Sequence, residues 1–143
     1  MTRVVLCCGT GGVGKTTTAA ALGVACAMAG ERACVLTIDP ARRLADALGL
    51  ETLDNTPRQV ALDQLEVADG GSLHALMLDR KATFDEAIRR LSDDPATTER
   101  LLGNRYYRAV STRMTGSQEY MATEKLYELV HSGDFDVVVV DTP

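Results

Sequence analysis

The sequence predicts an α/β fold in which a mainly parallel sheet is covered by helices on both faces. Short β-branched or apolar runs alternate along the chain with segments of helical periodicity, which is typical of parallel strands joined by helices. The length of 143 residues, with 45% hydrophobic and 24% charged residues, fits one globular domain. A glycine-rich turn also separates the first strand from the first helix.

The first strand and helix lie at the N-terminus. Residues 3–8 form a β-branched apolar run that predicts a buried strand. Residues 16–29 predict a helix that stops at Gly30. Six of the eleven residues from Ala19 to Ala29 are alanine, so this helix is expected to pack very close to the sheet.

The middle of the chain predicts two further strands. Residues 33–38 form a buried strand that is broken by Asp39-Pro40, and a short helix follows near residues 41–48. Residues 49–71 are polar and contain one proline and a glycine pair, so they are expected to be mostly loop. Residues 72–78 predict the third strand.

The last part of the chain is predicted to be helical before a fourth strand. Asp79 is a candidate N-cap for a helix whose apolar face consists of Phe84, Ala87, Ile88 and Leu91. Residues 95–114 predict short helices, and residues 117–131 predict an amphipathic helix. The fourth strand covers residues 136–141.

The glycine-rich turn carries the strongest chemical signal in the sequence. Residues 9–16 read G-T-G-G-V-G-K-T, a full match to the phosphate-binding pattern G-x-x-x-x-G-K-[ST] between a strand and a helix. The pattern predicts that the backbone N–H groups of the loop and the helix N-terminus surround the phosphates of a nucleotide. Lys15 is expected to contact the β- and γ-phosphates, Thr16 to bind Mg²⁺, and Thr17 to reach the α-phosphate. The predicted binding residues are Gly11, Gly12, Val13, Gly14, Lys15, Thr16 and Thr17.

Two aspartates follow predicted strands and are expected at the same edge of the sheet. Asp141 ends the apolar strand 136–141, in the position of a Walker-B aspartate that holds Mg²⁺. Asp39 follows strand 33–38, where a carboxylate could orient or deprotonate attacking water. Asp39 could instead cap the helix at 41–48, and its spacing alone does not decide between these roles.

Composition and cysteine content restrict the function classes. Fifteen Lys and Arg face twenty Asp and Glu, giving a net charge of −5, which argues against a nucleic-acid partner. The longest apolar runs are far shorter than a membrane-spanning helix. The four cysteines lack CxxC spacing and neighbouring histidines, so we interpret them as buried, reduced thiols of a cytoplasmic protein and not as metal or arsenite ligands. These cysteines are Cys7, Cys8, Cys26 and Cys34.

Several segments together resemble the arsenical pump-driving ATPase family, which includes the ATPases that target tail-anchored membrane proteins. The resemblance rests on G-T-G-G-V-G-K-T-T, on L-T-I-D-P-A-R-R-L-A-D-A-L-G at residues 36–49, on G-S-Q-E-Y-M-A-T-E-K-L at residues 116–126, and on F-D-V-V-V-V-D-T-P. D-P-A is the most discriminating part, since the related partitioning ATPases tend to carry D-P-Q. The resemblance implies a P-loop NTPase of the deviant Walker A type.

The resemblance also implies roles for particular residues and partners. Asp39 matches the switch I aspartate that acts on the attacking water, so Asp39 and Lys15 are the predicted catalytic residues, and Thr16 and Asp141 the predicted Mg²⁺ ligands. The family works as dimers, which predicts a homodimer or a paralogous heterodimer. Its members act with a transporter or membrane-protein partner, so the protein is expected in the cytoplasm, peripheral to a membrane through that partner.

The sequence departs from the family at one position of the phosphate loop. The deviant Walker A motif has a second lysine just after its first glycine, which reaches the partner subunit's phosphates. Here that position is Thr10. Arg42 and Arg43, just past Asp39, are candidates for the missing charge by proximity alone.

The leading hypothesis is an Mg²⁺-dependent ATPase that couples ATP hydrolysis to anion or metalloid transport or to membrane-protein targeting. The alternative, motivated by Thr10, is a weakly active regulatory nucleotide-binding subunit of a heteromeric ATPase. A small-molecule kinase on the same scaffold is a third hypothesis. Residues 1–143 are expected to be the N-terminal portion of a single nucleotide-binding domain, with an incomplete sheet, an uncovered end of the Walker-B strand and little ATP hydrolysis by themselves.

Overall fold

The chain forms an α/β structure, which a computed structural model describes for residues 1–113 and 117–143. In the described residues, six helices accompany one five-stranded sheet. In chain order the elements are β1 (Arg3–Cys7), α1 (Lys15–Met28), β2 (Arg32–Thr37), α2 (Arg43–Ala47), β3 (Arg58–Gln59), β4 (Ser72–Met77), α3 (Arg80–Leu91), α4 (Pro95–Leu102), α5 (Arg105–Arg113), α6 (Ser117–His131) and β5 (Val137–Asp141). No helix in this described part of the chain is long and apolar enough to cross a membrane.

The strand order places the phosphate loop beside the end of the last strand. The order is β1-β5-β2-β4-β3, and the first four of these strands are mutually parallel. In register, Asp141 pairs with Cys7 on β1 and with Thr37 on β2. The carboxyl ends of these three strands therefore meet at one edge, which is where open α/β sheets bind ligands.

Helices cover both faces of the sheet, as the sequence predicts. On one face, α1 and α2 pack against alternate residues of β2, β4 and β5; on the other face, α6 packs against the remaining residues of these strands. The close approach of α1 is confirmed at Gly23, where an added Cβ would lie 2.5 Å from the Cγ2 atom of Val35.

Most predicted elements are present with small shifts at their ends. Helix α6 has the predicted bounds, and Asp79 caps α3 by accepting a hydrogen bond from the backbone N–H of Ala82. The predicted helices within residues 95–114 are α4 and α5. Met114 from that prediction, and Gly116 from the segment that resembles the arsenical pump ATPases, lie outside the described residues.

Two expectations about the strands were wrong. β1 is not buried: it lies at an edge of the sheet, where Leu6 is 59% exposed. The Walker-B strand β5 is not uncovered at its end, because it lies between β1 and β2 and all of its residues are buried. Residues 49–71 are mostly loop, as expected. They contain the two-residue strand β3, which pairs antiparallel with β4 and is too short and polar to give a strand pattern.

Candidate nucleotide site

The phosphate loop has the backbone that an anion-binding turn requires. Gly12 and Gly14 have φ angles of +79° and +89°, in the left-handed region that residues with a side chain rarely adopt. Gly14 is also the N-cap of α1, and because glycine has no side chain it cannot cap the N–H groups of the first turn. The first N–H groups of this helix are therefore available to an anion, at the positive end of the helix dipole.

The loop lysine lies against the loop itself. The Nζ atom of Lys15 donates to the carbonyl oxygens of Gly9 and Thr10, both at 3.0 Å. This contact keeps the ammonium group at the loop. Because the contacts are at an exposed position, they can be exchanged for phosphate oxygens at little cost.

Next to the loop, a group that we call the carboxylate floor consists of the half-buried Thr16 and the fully buried Thr37 and Asp141. The Oδ2 atom of Asp141 accepts hydrogen bonds from the hydroxyls of Thr16 at 2.9 Å and Thr37 at 3.0 Å. Asp141 is fully buried, and its Oδ1 atom has no hydrogen-bond partner among the described residues. A buried carboxylate oxygen without a partner, next to a threonine hydroxyl, fits a bound Mg²⁺ ion.

On the opposite side, Asp39 leads into a wall formed by the start of α2. Its Oδ1 atom accepts from the backbone N–H of Ala41 at 2.9 Å, and its Oδ2 atom from Arg43 Nη1 at 3.3 Å. The N-cap of α2 is Arg42, so Asp39 stabilises the preceding turn and is not itself the cap. The interpretation of Asp39 as the helix cap is therefore wrong, and the structure places Asp39 in the lining of the cavity that the phosphate loop also lines.

One cavity of about 530 Å³ is lined by the phosphate loop and by residues at the start of α2, and of the carboxylate floor Thr16 lines it. The phosphate loop lines one side, and the side that we call the α2 wall consists of Asp39, Arg43, Asp46 and Ala47. Of the predicted binding residues, Val13 does not line this cavity; it is 62% exposed and lies at a neighbouring hollow beside β1. The other predicted binding residues line it: Gly11, Gly12, Gly14, Lys15, Thr16 and Thr17.

The two candidate arginines point in different directions. Arg43 lines the cavity and pairs with Asp39. Arg42 donates to the carbonyl oxygen of Glu51 and lines a separate, mostly apolar cavity of about 190 Å³. Proximity in the sequence did not separate them, because adjacent residues at a helix start project to different sides.

Sequence reasoning missed two residues that hold this site together. The Thr37 hydroxyl donates to Asp141 and also accepts from the backbone N–H of Asp39 at 3.3 Å. Gln118 on α6 donates from Nε2 to the carbonyl oxygen of Ile38 at 3.0 Å. A hydroxyl within the apolar run of β2 was a usable signal for Thr37, whereas nothing in the spacing pointed to Gln118.

The cysteines differ in exposure more than the sequence suggested. Cys34 is fully buried, and burial raises the pKa of its thiol to about 12. Cys8 is exposed, which corrects the expectation that all four are buried. The four are unpaired thiols, and the described residues contain no cluster of three His, Cys, Asp or Glu side chains that could hold a metal ion.

Comparison with known protein families decides what this arrangement belongs to. The family model described as "Anion-transporting ATPase" matches residues 2–143. The chain belongs to this family. Its fold is accordingly that of a P-loop NTPase, and the Anion-transporting ATPase family is one of nucleotide-hydrolysing proteins.

Individual relatives agree with this family. The chain is 27% identical to "ATPase GET3" of Malassezia globosa, over 96% of this chain and 38% of that protein. It is 31% identical to a "Putative arsenical pump-driving ATPase" of Halobacterium salinarum, over 99% of this chain and 22% of that protein. The chain thus spans well under half the length of these relatives.

A solved structure agrees at the level of the fold. Cobyrinic acid a,c-diamide synthase from Mycobacterium smegmatis, solved with bound ADP and magnesium, has a TM-score of 0.56 and 25% identity to this chain. The match covers 99% of this chain and 51% of the synthase. That protein binds a nucleotide and magnesium, the two ligands that the phosphate loop and the carboxylate floor fit here.

Proposed function

We propose that this chain binds Mg²⁺-ATP and hydrolyses it, with water attacking the γ-phosphate. The observation that carries the proposal is the buried Asp141, which accepts from the Thr16 and Thr37 hydroxyls and keeps one oxygen unpartnered directly beneath the phosphate loop. A carboxylate without charge compensation is costly to bury. Its retention at this point is best explained by a cation that binds there.

Each residue in the proposal has a defined task. Lys15 and the loop N–H groups hold the phosphates, and Thr16 and Asp141 hold Mg²⁺, which when bound neutralises charge on the β- and γ-phosphates. Asp39 orients the attacking water and accepts its proton, because Asp39 lines the same cavity as Lys15.

We further propose that hydrolysis drives a partner, in anion or metalloid transport or in delivery of a membrane protein. The family description and the names of the two curated relatives support this coupling. The protein would then act in the cytoplasm as a homodimer or a paralogous heterodimer, at a membrane through its partner. Thr10 has no charge, whereas the family that this sequence resembles has a lysine at this position. This difference favours a second candidate function, that of a weakly active regulatory subunit.

Single-turnover hydrolysis tests the catalytic assignment. ATP labelled at the γ-phosphate is mixed with an excess of wild-type protein, of Asp39→Asn and of Asp46→Asn, a matched control on the same wall. We expect slow release of phosphate by wild type and Asp46→Asn. Asp39→Asn should bind ATP within about threefold of wild type and release phosphate at least about 100-fold more slowly.

Three results would change this conclusion. Equal turnover by Asp39→Asn and wild type would contradict the role of Asp39. Tight binding of ATP by wild type without any release of phosphate, also at an ATP concentration that would be sufficient for an active paralogue, would favour the regulatory subunit. Transfer of phosphate to a small molecule instead of water would indicate a kinase.

A further inference from the structure

The nucleotide cavity has a second cationic side chain besides Lys15. Among the described residues that line it, Lys15 and Arg43 carry positive charge, and Asp39 and Asp46 carry negative charge. Lys15 is bonded to two carbonyl oxygens of its own loop. Arg43 lines the same cavity from the start of α2, so a triphosphate bound there would have both cations within the same site.

The contact that Arg43 now makes is weak. It consists of one 3.3 Å contact to Asp39, and the side chain of Arg43 is 69% exposed. Isolated exposed ion pairs contribute little to stability. The turn before α2 has an independent hydrogen bond, from the backbone N–H of Ala41 to Asp39. The fold therefore does not depend on the arginine.

Guanidinium chemistry suits a phosphate better than this single contact. Arginine has five N–H donors in a planar fork, and it forms paired hydrogen bonds to phosphate oxygens. With several donors free, Arg43 can contact a phosphate oxygen and still hold Asp39. Its neighbour Arg42 donates a hydrogen bond to the carbonyl oxygen of Glu51 instead. Of the two adjacent arginines, Arg43 therefore lines the cavity and Arg42 packs beside α2.

We propose that Arg43 binds the terminal phosphate of the nucleoside triphosphate from within the same subunit, and that it positions the Asp39 carboxylate beside that phosphate. The inference rests on the proposed function, since it requires a nucleotide in this cavity. Arg43 would then be the residue of the α2 wall that distinguishes a nucleoside triphosphate from a diphosphate. We expect a diphosphate, which lacks the terminal phosphate, not to make this contact with Arg43.

The test compares nucleotide affinities of matched arginine variants. Dissociation constants for a non-hydrolysable ATP analogue and for ADP, both with Mg²⁺, are measured for wild type, Arg43→Ala and Arg42→Ala. We expect Arg43→Ala to weaken binding of the ATP analogue about tenfold and of ADP less than about twofold. Arg42→Ala should leave both constants unchanged, and Arg43→Lys should recover part of the ATP preference.

The outcomes separate this inference from the proposed function. An unchanged ratio of the two constants in Arg43→Ala, or an equal loss in Arg42→Ala, overturns the inference and leaves nucleotide binding intact. Absence of nucleotide binding by wild type overturns the proposed function itself. Repeating the titrations at a protein concentration where sedimentation shows only monomer tests the contact within one subunit. An effect of Arg43→Ala that is confined to the dimer would contradict it.

Discussion

The carboxylate floor and the α2 wall, two groups of residues that contribute to the candidate nucleotide site, are built in opposite ways. In the carboxylate floor, Thr37 and Asp141 are 1% and 0% exposed and are joined by a hydrogen bond of 3.0 Å. In the α2 wall, the side chains of Asp39 and Arg43 are 23% and 69% exposed and are joined by one contact of 3.3 Å. An exposed pair of this kind contributes about 0–1 kcal/mol.

The difference indicates a division of tasks. Of the two groups that would hold Mg²⁺, Asp141 is fixed by the register of β5 and β2, and Thr16 is held to it by a hydrogen bond of 2.9 Å, so their geometry exists before any ligand binds. The groups that would face the γ-phosphate and the attacking water can rearrange at little cost in free energy. A fixed floor and an adjustable wall suit a site that must bind a metal–nucleotide complex and also respond to loss of one phosphate.

The largest expected effect concerns the floor. Asp141→Asn should lower the Mg²⁺ affinity of the protein–ADP complex at least about 100-fold, because changing even an outer partner of a metal ligand costs about 10–100-fold. Titration of Mg²⁺ into the protein–ADP complex measures this. Asp136→Asn, which changes a carboxylate just before the other end of β5, is the control. An Asp141→Asn protein with wild-type Mg²⁺ affinity would show that the floor is not the metal site.

A smaller effect is expected from removing one hydroxyl of the floor. Thr37→Val leaves Asp141 with one donor fewer in a fully buried place, and should reduce the free energy of unfolding by about 1–3 kcal/mol. Thr37→Ser keeps the hydroxyl and should lose less than about 1 kcal/mol. Urea unfolding of the three proteins gives these values. If valine is tolerated as well as serine, the hydrogen bond does not hold the floor.

The α2 wall should tolerate the same kind of change. Asp39→Asn keeps an oxygen that can accept from the Ala41 N–H and removes the ion pair with Arg43. We expect the free energy of unfolding to change by less than about 1 kcal/mol. The same urea unfolding experiment measures it. A loss larger than that of Thr37→Val would reverse the contrast between wall and floor.

The smallest expected effect is on the pH dependence of stability, and it concerns Asp136, which lies outside the cavity just before the amino end of β5. Hydrogen bonds from the Arg32 side chain and backbone lower the pKa of Asp136 to about 2. The native carboxylate therefore stays charged after the unfolded one has taken up a proton, and its stabilising contribution is present above about pH 4 and lost as the pH falls towards 2. Unfolding at pH 6 and pH 3 should show a smaller difference for Asp136→Asn than for wild type. An equal difference would contradict this assignment.

The sequence predicted those parts of the site that depend on local pattern. The phosphate loop needs glycines at fixed positions, and Gly12 and Gly14 do adopt left-handed backbone. The position of Asp141 follows from one apolar strand that ends in an acid. Parallel strands then bring both features to the same edge, so their meeting at the hydrogen bond between Thr16 and Asp141 was predictable.

The parts that depend on strand order and side-chain direction were not predictable. Residues 3–8 have the apolar pattern of a central strand. In the described part of the chain, however, β1 is the outermost strand of the sheet and pairs with β5 on one side. Local pattern contains no information on the order of strands. For the same reason, the contact from Gln118 to Ile38 and the different directions of Arg42 and Arg43 appear only in the folded chain.

Calorimetric titration with Mg²⁺-ATP of the wild-type protein and of Lys15→Ala tests the central claim most directly. We expect one nucleotide site per chain in wild type, with an affinity that falls when Mg²⁺ is removed by chelation. We expect no measurable binding by a Lys15→Ala protein that has the wild-type circular dichroism spectrum. Equal binding by the two proteins, or binding that is indifferent to Mg²⁺, would contradict the assignment of this cavity as a nucleotide site.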